Sequence, residues 1–191
     1  MAGQAIKYYP KLKGERVCLS PVSRDDAPVY ARWMNDRGVT DFLGNTWMLL
    51  DVEKEKEILE GFLKDQYVFA IVKREGEELL GNINFFALNH VHRSAHCGLF
   101  IGEPERRGLG YGREALELLL GFGFGALNLN NVMLEVFSFN KAAIACYEAV
   151  GFKRIGARRQ AYFLDGVYHD EIYMDILADE FRQSRGFDGA R

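Results

Sequence analysis

The sequence predicts a mixed α/β chain, with helices packed on one sheet. Two observations lead there. β-rich and helical segments alternate in the order strand, two helices, three strands, helix, strand, helix, two strands. The passage from Ala95 to Phe137 reads strand–helix–strand, which calls for a right-handed parallel crossover.

Local signals place each element. Arg16 to Leu19 reads as a strand. Ser23 is an N-cap, with Asp25 and Asp26 in the first turn of a helix that runs to about Asn35. Asp51 caps a second helix, whose Ile58, Leu59, Phe62 and Leu63 recur at helical spacing. Tyr67–Lys73 and Leu79–Leu88 form a hairpin about Glu75-Gly76-Glu77, and Ala95–Ile101 is the next strand. A helix over Tyr111–Ala126 follows a glycine-rich turn. Val132–Phe137 is a strand, and Asn140–Val150 a helix stopped by Gly151. Phe152–Leu164 and Val167–Ile176 are joined by Asp165-Gly166, a strong hairpin signal. From Glu180 the chain reads as a frayed tail.

Composition narrows the class. The 191 residues are 48% hydrophobic and 27% charged, enough apolar material for one domain over 1–191. Its core spans about 14–178, with short flexible tails. Net charge is −3 and there is no basic stripe, which argues against nucleic acid. No run is long and apolar enough to span a membrane. Cys18, Cys97 and Cys146 are few and scattered, so they read as reduced thiols in a cytoplasmic protein. His90, His92 and His96 cluster in sequence without a fourth ligand, and the expectation is no metal.

The sharpest local feature is Glu105-Arg106-Arg107-Gly108-Leu109-Gly110-Tyr111-Gly112-Arg113, between a strand and a helix. Glycines let the backbone approach a ligand, a helix N-terminus presents unpaired N–H groups, and three arginines add charge. Together they suit a phosphate or diphosphate. The spacing GxGxxG is absent, against a Rossmann site, and there is no Gly-Lys-Ser/Thr of a P-loop.

Downstream, alternation along Val132–Phe137 puts Val132, Leu134 and Val136 on one face and Met133, Glu135 and Phe137 on the other. From periodicity alone, Glu135 is as readily a structural carboxylate as a base. Asn140 is an N-cap whose amide could also reach a ligand. Tyr147, two turns on, reads from spacing alone as an aromatic core residue.

These segments together resemble the GNAT superfamily of acetyl-CoA-dependent N-acetyltransferases. The phosphate signature Arg/Gln-x-x-Gly-x-Gly/Ala is matched by Arg107-Gly108-Leu109-Gly110-Tyr111-Gly112, and Asn140 through Tyr147 to Gly151-Phe152 looks like the second CoA-side motif. Within it, Lys13–Leu19, Asp25-Asp26-Ala27 and Asp165–Asp170 look most like the ribosomal-protein N-terminal acetyltransferase branch. That branch includes relatives acting on polyamines and amino sugars.

The resemblance implies a mostly antiparallel central sheet with one splayed parallel strand pair. It implies acetyl-CoA as co-substrate, Glu135 as base and Tyr147 as acid. Acetyl-CoA would be held by Leu99, Phe100, Ile101, the stretch from Arg106 to Arg113, Asn140 and Tyr147. The acceptor would be a small amine or a protein N-terminus, in a pocket walled by Trp47, Phe85 and Phe137, with Trp33, Phe86 and Phe139 as further aromatic candidates. Homodimerisation is compatible with it. A non-catalytic acyl-CoA-binding module and a mononucleotide binder are the competing readings.

Overall fold

Val17, Cys18, Leu19 and Ser20 are all buried, so the first long strand is covered on both faces, which its near-continuous apolar run allows. The computed structural model describes residues 7–64 and 67–185. In chain order it contains β1 (Leu12–Lys13), β2 (Val17–Pro21), a 3-10 turn (Arg24–Asp26), α1 (Ala27–Met34), α2 (Arg37–Thr40) and α3 (Val52–Lys64). There follow β3 (Val68–Lys73), β4 (Glu78–Asn89), β5 (Ser94–Ile101), a second 3-10 turn (Pro104–Arg106) and α4 (Tyr111–Gly125). The chain then runs through β6 (Asn131–Phe137), α5 (Lys141–Val150), β7 (Lys153–Leu164), β8 (Val167–Leu177) and α6 (Ala178–Gln183).

The strands hydrogen-bond in the order β1-β2-β3-β4-β5-β6-β8-β7. β5 and β6 run parallel; β6–β8 and β7–β8 are antiparallel, as are β1–β2 and β2–β3. This is the mixed sheet expected. The parallel ladder is short: it pairs Ser94, Ala95 and His96 with Asn131, Val132 and Met133 and ends there, although β5 continues to Ile101 and β6 to Phe137. The two strands therefore splay beyond His96.

The chain divides into two compact units. The first takes in the chain up to Ile83 together with Phe100–Leu118; the second takes in Asn84–Leu99 and the chain from Leu119 on. In the first, Tyr30 and Trp33 of α1 are buried and meet Phe100 edge-on, with Trp33 and Phe100 centroids 5.9 Å apart. Such aromatic anchors cost about 3–5 kcal/mol each on truncation to alanine. A Cβ on Gly102 would fall 2.0 Å from Trp33 Cε2, so only glycine lets the chain pass this ring. In the second unit, β6 buries Val132, Leu134 and Val136, and its β8 partners Met174 and Ile176 are buried with them.

Glu55 in the first unit is an exception to the polar accounting. It is buried on α3, and its Oε2 has no hydrogen-bond partner. Burial raises its pKa, so the ionised form costs stability as pH rises through the folded-state value. Glu55→Met should therefore gain about 1 kcal/mol at neutral pH, or about 2–4 °C in Tm. The gain should shrink on acidification. Thermal denaturation at two pH values checks this; an unchanged or lower Tm at neutral pH would refute it.

Several sequence expectations shift. Ser23 does cap a helical start, accepting from Asp25 N at 3.3 Å, but the first turn is 3-10 and the α-helix begins at Ala27. Asp51 Oδ1 caps α3 through Lys54 N at 2.8 Å, as expected. α2, capped by Asp36, and β1 were not expected, because four and two residues are too short for a periodic signal. The tail from Glu180 is not frayed over its first residues. Ala178–Gln183 is helical, with Ala178 and Phe181 buried and Glu180 Oε2 accepting from Leu177 N at 3.2 Å. The tails at residues 1–6 and 186–191 lie outside the described residues.

Candidate active site

In the first unit the glycine-rich turn is built as the sequence implies, but its arginines do a different job. Gly108 and Gly110 sit at φ +70° and +85°, in the left-handed region where a side chain is strained. The turn leads straight into α4. None of the N–H groups from Gly108 to Arg113 donates to a backbone carbonyl in the described residues, which leaves a row of donors at a helix N-terminus. Arg107 does not project its charge outward. Its guanidinium donates to the carbonyls of Ile101 (3.0 Å), Gly102 (2.9 Å) and Gly38 (2.7 Å). It is a staple that fixes the strand-to-helix corner. Arg106 pairs with Glu78 and Arg113 with Glu117.

Arg16, which the sequence reading passed over, completes the corner. It donates to Leu109 O at 2.9 Å, pairs with Glu114 at 3.1 Å and lies over the Tyr111 ring. Burial pushes the Glu114 carboxyl up, but amide hydrogen bonds from Arg16 and Val17 and the Arg16 guanidinium outweigh it, and the net shift is down. Its lone pairs thus clamp the start of β2 to α4. The turn's electrostatics come from backbone N–H groups and the helix end rather than from free arginine heads.

In the second unit, Asn140 accepts from Ala143 N at 3.2 Å as the N-cap of α5. The helix ends at Gly151 (φ +116°), whose N–H bonds to the carbonyls of Tyr147 and Glu148, while Phe152 N donates to Tyr147 O at 3.0 Å. Tyr147 therefore sits on a locked C-terminal turn, 8% exposed and packed against Phe152. Its hydroxyl has no hydrogen-bond partner among the described residues. Burial, with smaller contributions from the thiols of Cys97 and Cys146, raises its pKa, so the phenol keeps its proton at neutral pH.

Glu135 lies on the face that alternation assigns it, with Met133 and Phe137, half-buried while Val132, Leu134 and Val136 are covered. Its partner is neither an arginine nor an amide: Oε1 is 3.1 Å from His96 Nδ1, and the two side chains are 29% and 30% exposed. Weighed in the sequence only as a metal candidate, His96 was not expected to pair with Glu135. The signal available was parity: Ala95 and Cys97 alternate apolar on β5 and turn inward, which sends His96 to the other face. Phe86 packs on the His96 ring at 5.3 Å.

The same face continues across β8 and β7. Glu135 is opposite Tyr173 and Phe137 opposite Glu171. Phe137 stacks on Tyr162 at 4.0 Å and 10°, and Phe139 lies 4.7 Å from His169, edge-on. Tyr173 donates to Glu171 at 3.1 Å. Carboxylates among aromatic rings make a surface suited to an ammonium group.

Of the expected pocket walls, Phe137 belongs to this face. Phe85 does not: it is 2% exposed, and a Cβ on Gly123 of α4 would fall 2.6 Å from its ring, so it is core. Trp33 is core as well, its indole N–H bonded to Glu103 at 2.9 Å. Trp47 is 82% exposed. Leu99, Phe100 and Ile101 lie past the end of the β5–β6 ladder, half-buried. Among the described residues no group of His, Cys, Asp or Glu could hold a metal, and no helix is long and apolar enough to cross a membrane.

Comparison with known proteins agrees with this geometry. Residues 16–153 match the family model for the acetyltransferase (GNAT) domain, and the chain belongs to that family of acetyltransferases. The spermidine N(1)-acetyltransferase of Vibrio cholerae serotype O1 is 32% identical over 111 residues, 58% of this chain and 64% of that protein. The chain thus spans just under two thirds of that relative. The uncharacterised N-acetyltransferase YoaA of Bacillus subtilis is 30% identical over 175 residues, 88% of this chain and 97% of that one. The crystal structure of the Vibrio cholerae spermidine N-acetyltransferase with CoA and spermine has a TM-score of 0.79 at 25% identity, covering 88% of this chain and 99% of that chain. The relatives are spermidine N-acetyltransferases and uncharacterised N-acetyltransferases, not specifically members of the ribosomal-protein branch the motifs suggested.

Proposed function

We propose that the protein transfers an acetyl group from acetyl-CoA to a primary amine of a small polycation of the polyamine class. The observation that carries this is the face of the second unit on which Glu135 and Glu171 lie among Phe137, Tyr162 and Tyr173. Rings and carboxylates together suit an ammonium group, with Glu171 sharing its charge with Arg158 at 3.6 Å. The spermidine acetyltransferase relatives support the same choice.

In this reading the N–H row from Gly108 to Gly112 takes the CoA diphosphate. Backbone groups along Leu99–Ile101 left without a β6 partner by the short β5–β6 ladder, the Arg107-bonded carbonyl of Ile101 excepted, pair with the pantetheine amides and hold the oxyanion. A polyamine nitrogen is almost wholly protonated at pH 7, since such amines have a pKa of about 10. Its proton leaves toward Glu135, directly or through a relay. The neutral nitrogen attacks the thioester carbon, and Tyr147 serves the departing sulfur. A cytoplasmic site of action and a homodimeric state complete the proposal.

An acceptor panel tests it, reading thiol release from acetyl-CoA with linear polyamines, amino sugars and peptides bearing free N-termini. The expected result is the highest kcat/KM with a linear polyamine. A peptide N-terminus as the best acceptor would overturn the substrate class and restore the ribosomal-protein reading. Binding of acetyl-CoA without thiol release on any amine would leave only the binding-module reading.

A further inference from the structure

The geometry points to His96 as the group that takes the proton from the acceptor amine, with Glu135 acting behind it as the residue that orients the ring and stabilises the imidazolium once it forms. The inference deepens the acetyl-transfer reading above and rests on it. Three observations lead to it. His96 Nδ1 faces Glu135 Oε1 at 3.1 Å. A carboxylate at that distance favours a proton on Nδ1, which leaves the lone pair on Nε2, the nitrogen turned away from it. His96 is also the last residue of the β5 ladder with β6, where the strands begin to splay. Phe86 packs against its ring and fixes the plane.

Other groups facing the imidazole are few. From β6 there is Glu135 and from β4 Phe86; one strand beyond, on β8, Tyr173 and Glu171 lie opposite Glu135 and Phe137, with Arg158 of β7 3.6 Å from Glu171. Cys97 turns to the buried side, where burial raises its thiol pKa, so it does not compete as a base. Imidazole is the side chain best matched to accept a proton near neutral pH, whereas a carboxylate is a weak base toward an alkylammonium.

The proton balance closes. The ammonium gives one proton to His96 Nε2, and the imidazolium beside Glu135 later returns it to solvent. The nitrogen lone pair forms the C–N bond, and the carbonyl electrons move to oxygen and return as the C–S bond breaks. Tyr147 gives its proton to sulfur as the second N–H proton of the adduct replaces it. The products are the acetamide, CoA thiol and one proton released.

Two substitutions separate His96 as base from His96 as a prop for Glu135. In His96→Asn the amide nitrogen takes the place of Nδ1 and can still donate to Glu135, but nothing replaces Nε2. In Glu135→Gln the amide oxygen still accepts from Nδ1. If His96 is the acceptor, His96→Asn should lose about 100-fold in kcat/KM at pH 7 and Glu135→Gln about tenfold or less. The reverse order would make Glu135 the base and overturn the inference. The loss in His96→Asn should shrink as pH approaches the pKa of the amine, and with an acceptor amine of low pKa, because a free amine needs no base. A loss equal at every pH and with both amines would show a structural role and also overturn it. Acetyl-CoA affinity should stay within about twofold, by the 1.4 kcal/mol per decade scale. No thiol release from the unaltered protein on any amine would sink the acetyl-transfer reading as well, which distinguishes the two failures.

Discussion

Tyr147→Phe should lower kcat about 100-fold while leaving acetyl-CoA affinity within about twofold. The substitution removes one oxygen and keeps the ring. The ring is what packs on Phe152, so the fold of α5 and its C-cap should be untouched. Among the described residues the hydroxyl has no hydrogen-bond partner to lose, so stability should not fall. What disappears is the protonated O–H that, in the proposed function, serves the departing sulfur. A phenol with a raised pKa does not surrender its proton to a thiolate outright; it stabilises the developing charge until the adduct supplies a proton in exchange. The effect therefore belongs in turnover and not in binding. Steady-state kinetics with isothermal titration of acetyl-CoA separates the two, and an unchanged kcat would return Tyr147 to the plain core role its spacing suggests.

Gly110→Trp should abolish acetyl-CoA binding, with at least a 100-fold loss of affinity, and turnover with it. Two effects act at this residue. Its φ of +85° is a conformation that costs an L-residue about 1–2 kcal/mol. A Cβ there falls 2.9 Å from Arg16 Nη2, the side chain that ties Leu109 to the start of β2. Tryptophan adds an indole over the row of N–H donors. Gly110→Ala separates strain from bulk: alanine meets only the movable end of Arg16 and should bind acetyl-CoA far better than the tryptophan variant. Circular dichroism and Tm confirm that both remain folded. Normal binding in a folded Gly110→Trp protein would mean that the diphosphate lies elsewhere.

Local structure was legible wherever the signal lies within a few residues. Asp51, Asn140 and Gly151 mark helix ends by hydrogen bonds to backbone groups no more than four positions away, and the bonds are present. Alternation assigned the faces of β6 correctly because a strand's side-chain period is fixed by the pleat. The 3-10 start at Arg24–Asp26, the single turn of α2 and the helix Ala178–Gln183 were not legible, because tertiary packing selects such short elements. Phe85 and Trp33 illustrate the same limit for the site: an aromatic residue looks alike in sequence whether it walls a pocket or fills a core.

By itself the sequence determined the order of the longer elements and the donor-rich glycine corner before α4, since each depends on contacts or periods short along the chain; Glu135 and Tyr147 stood out as a pair only through the family resemblance. Only the tertiary structure decided what those residues meet. Arg107 spends its charge on the carbonyls of residues 38, 101 and 102, and Arg16 reaches Leu109 across 93 positions. His96 meets Glu135 because two strands far apart in sequence pair for three residues and then part. Pairings across such separations are set by which buried faces must be covered, a property of the whole packed chain that no window of sequence contains.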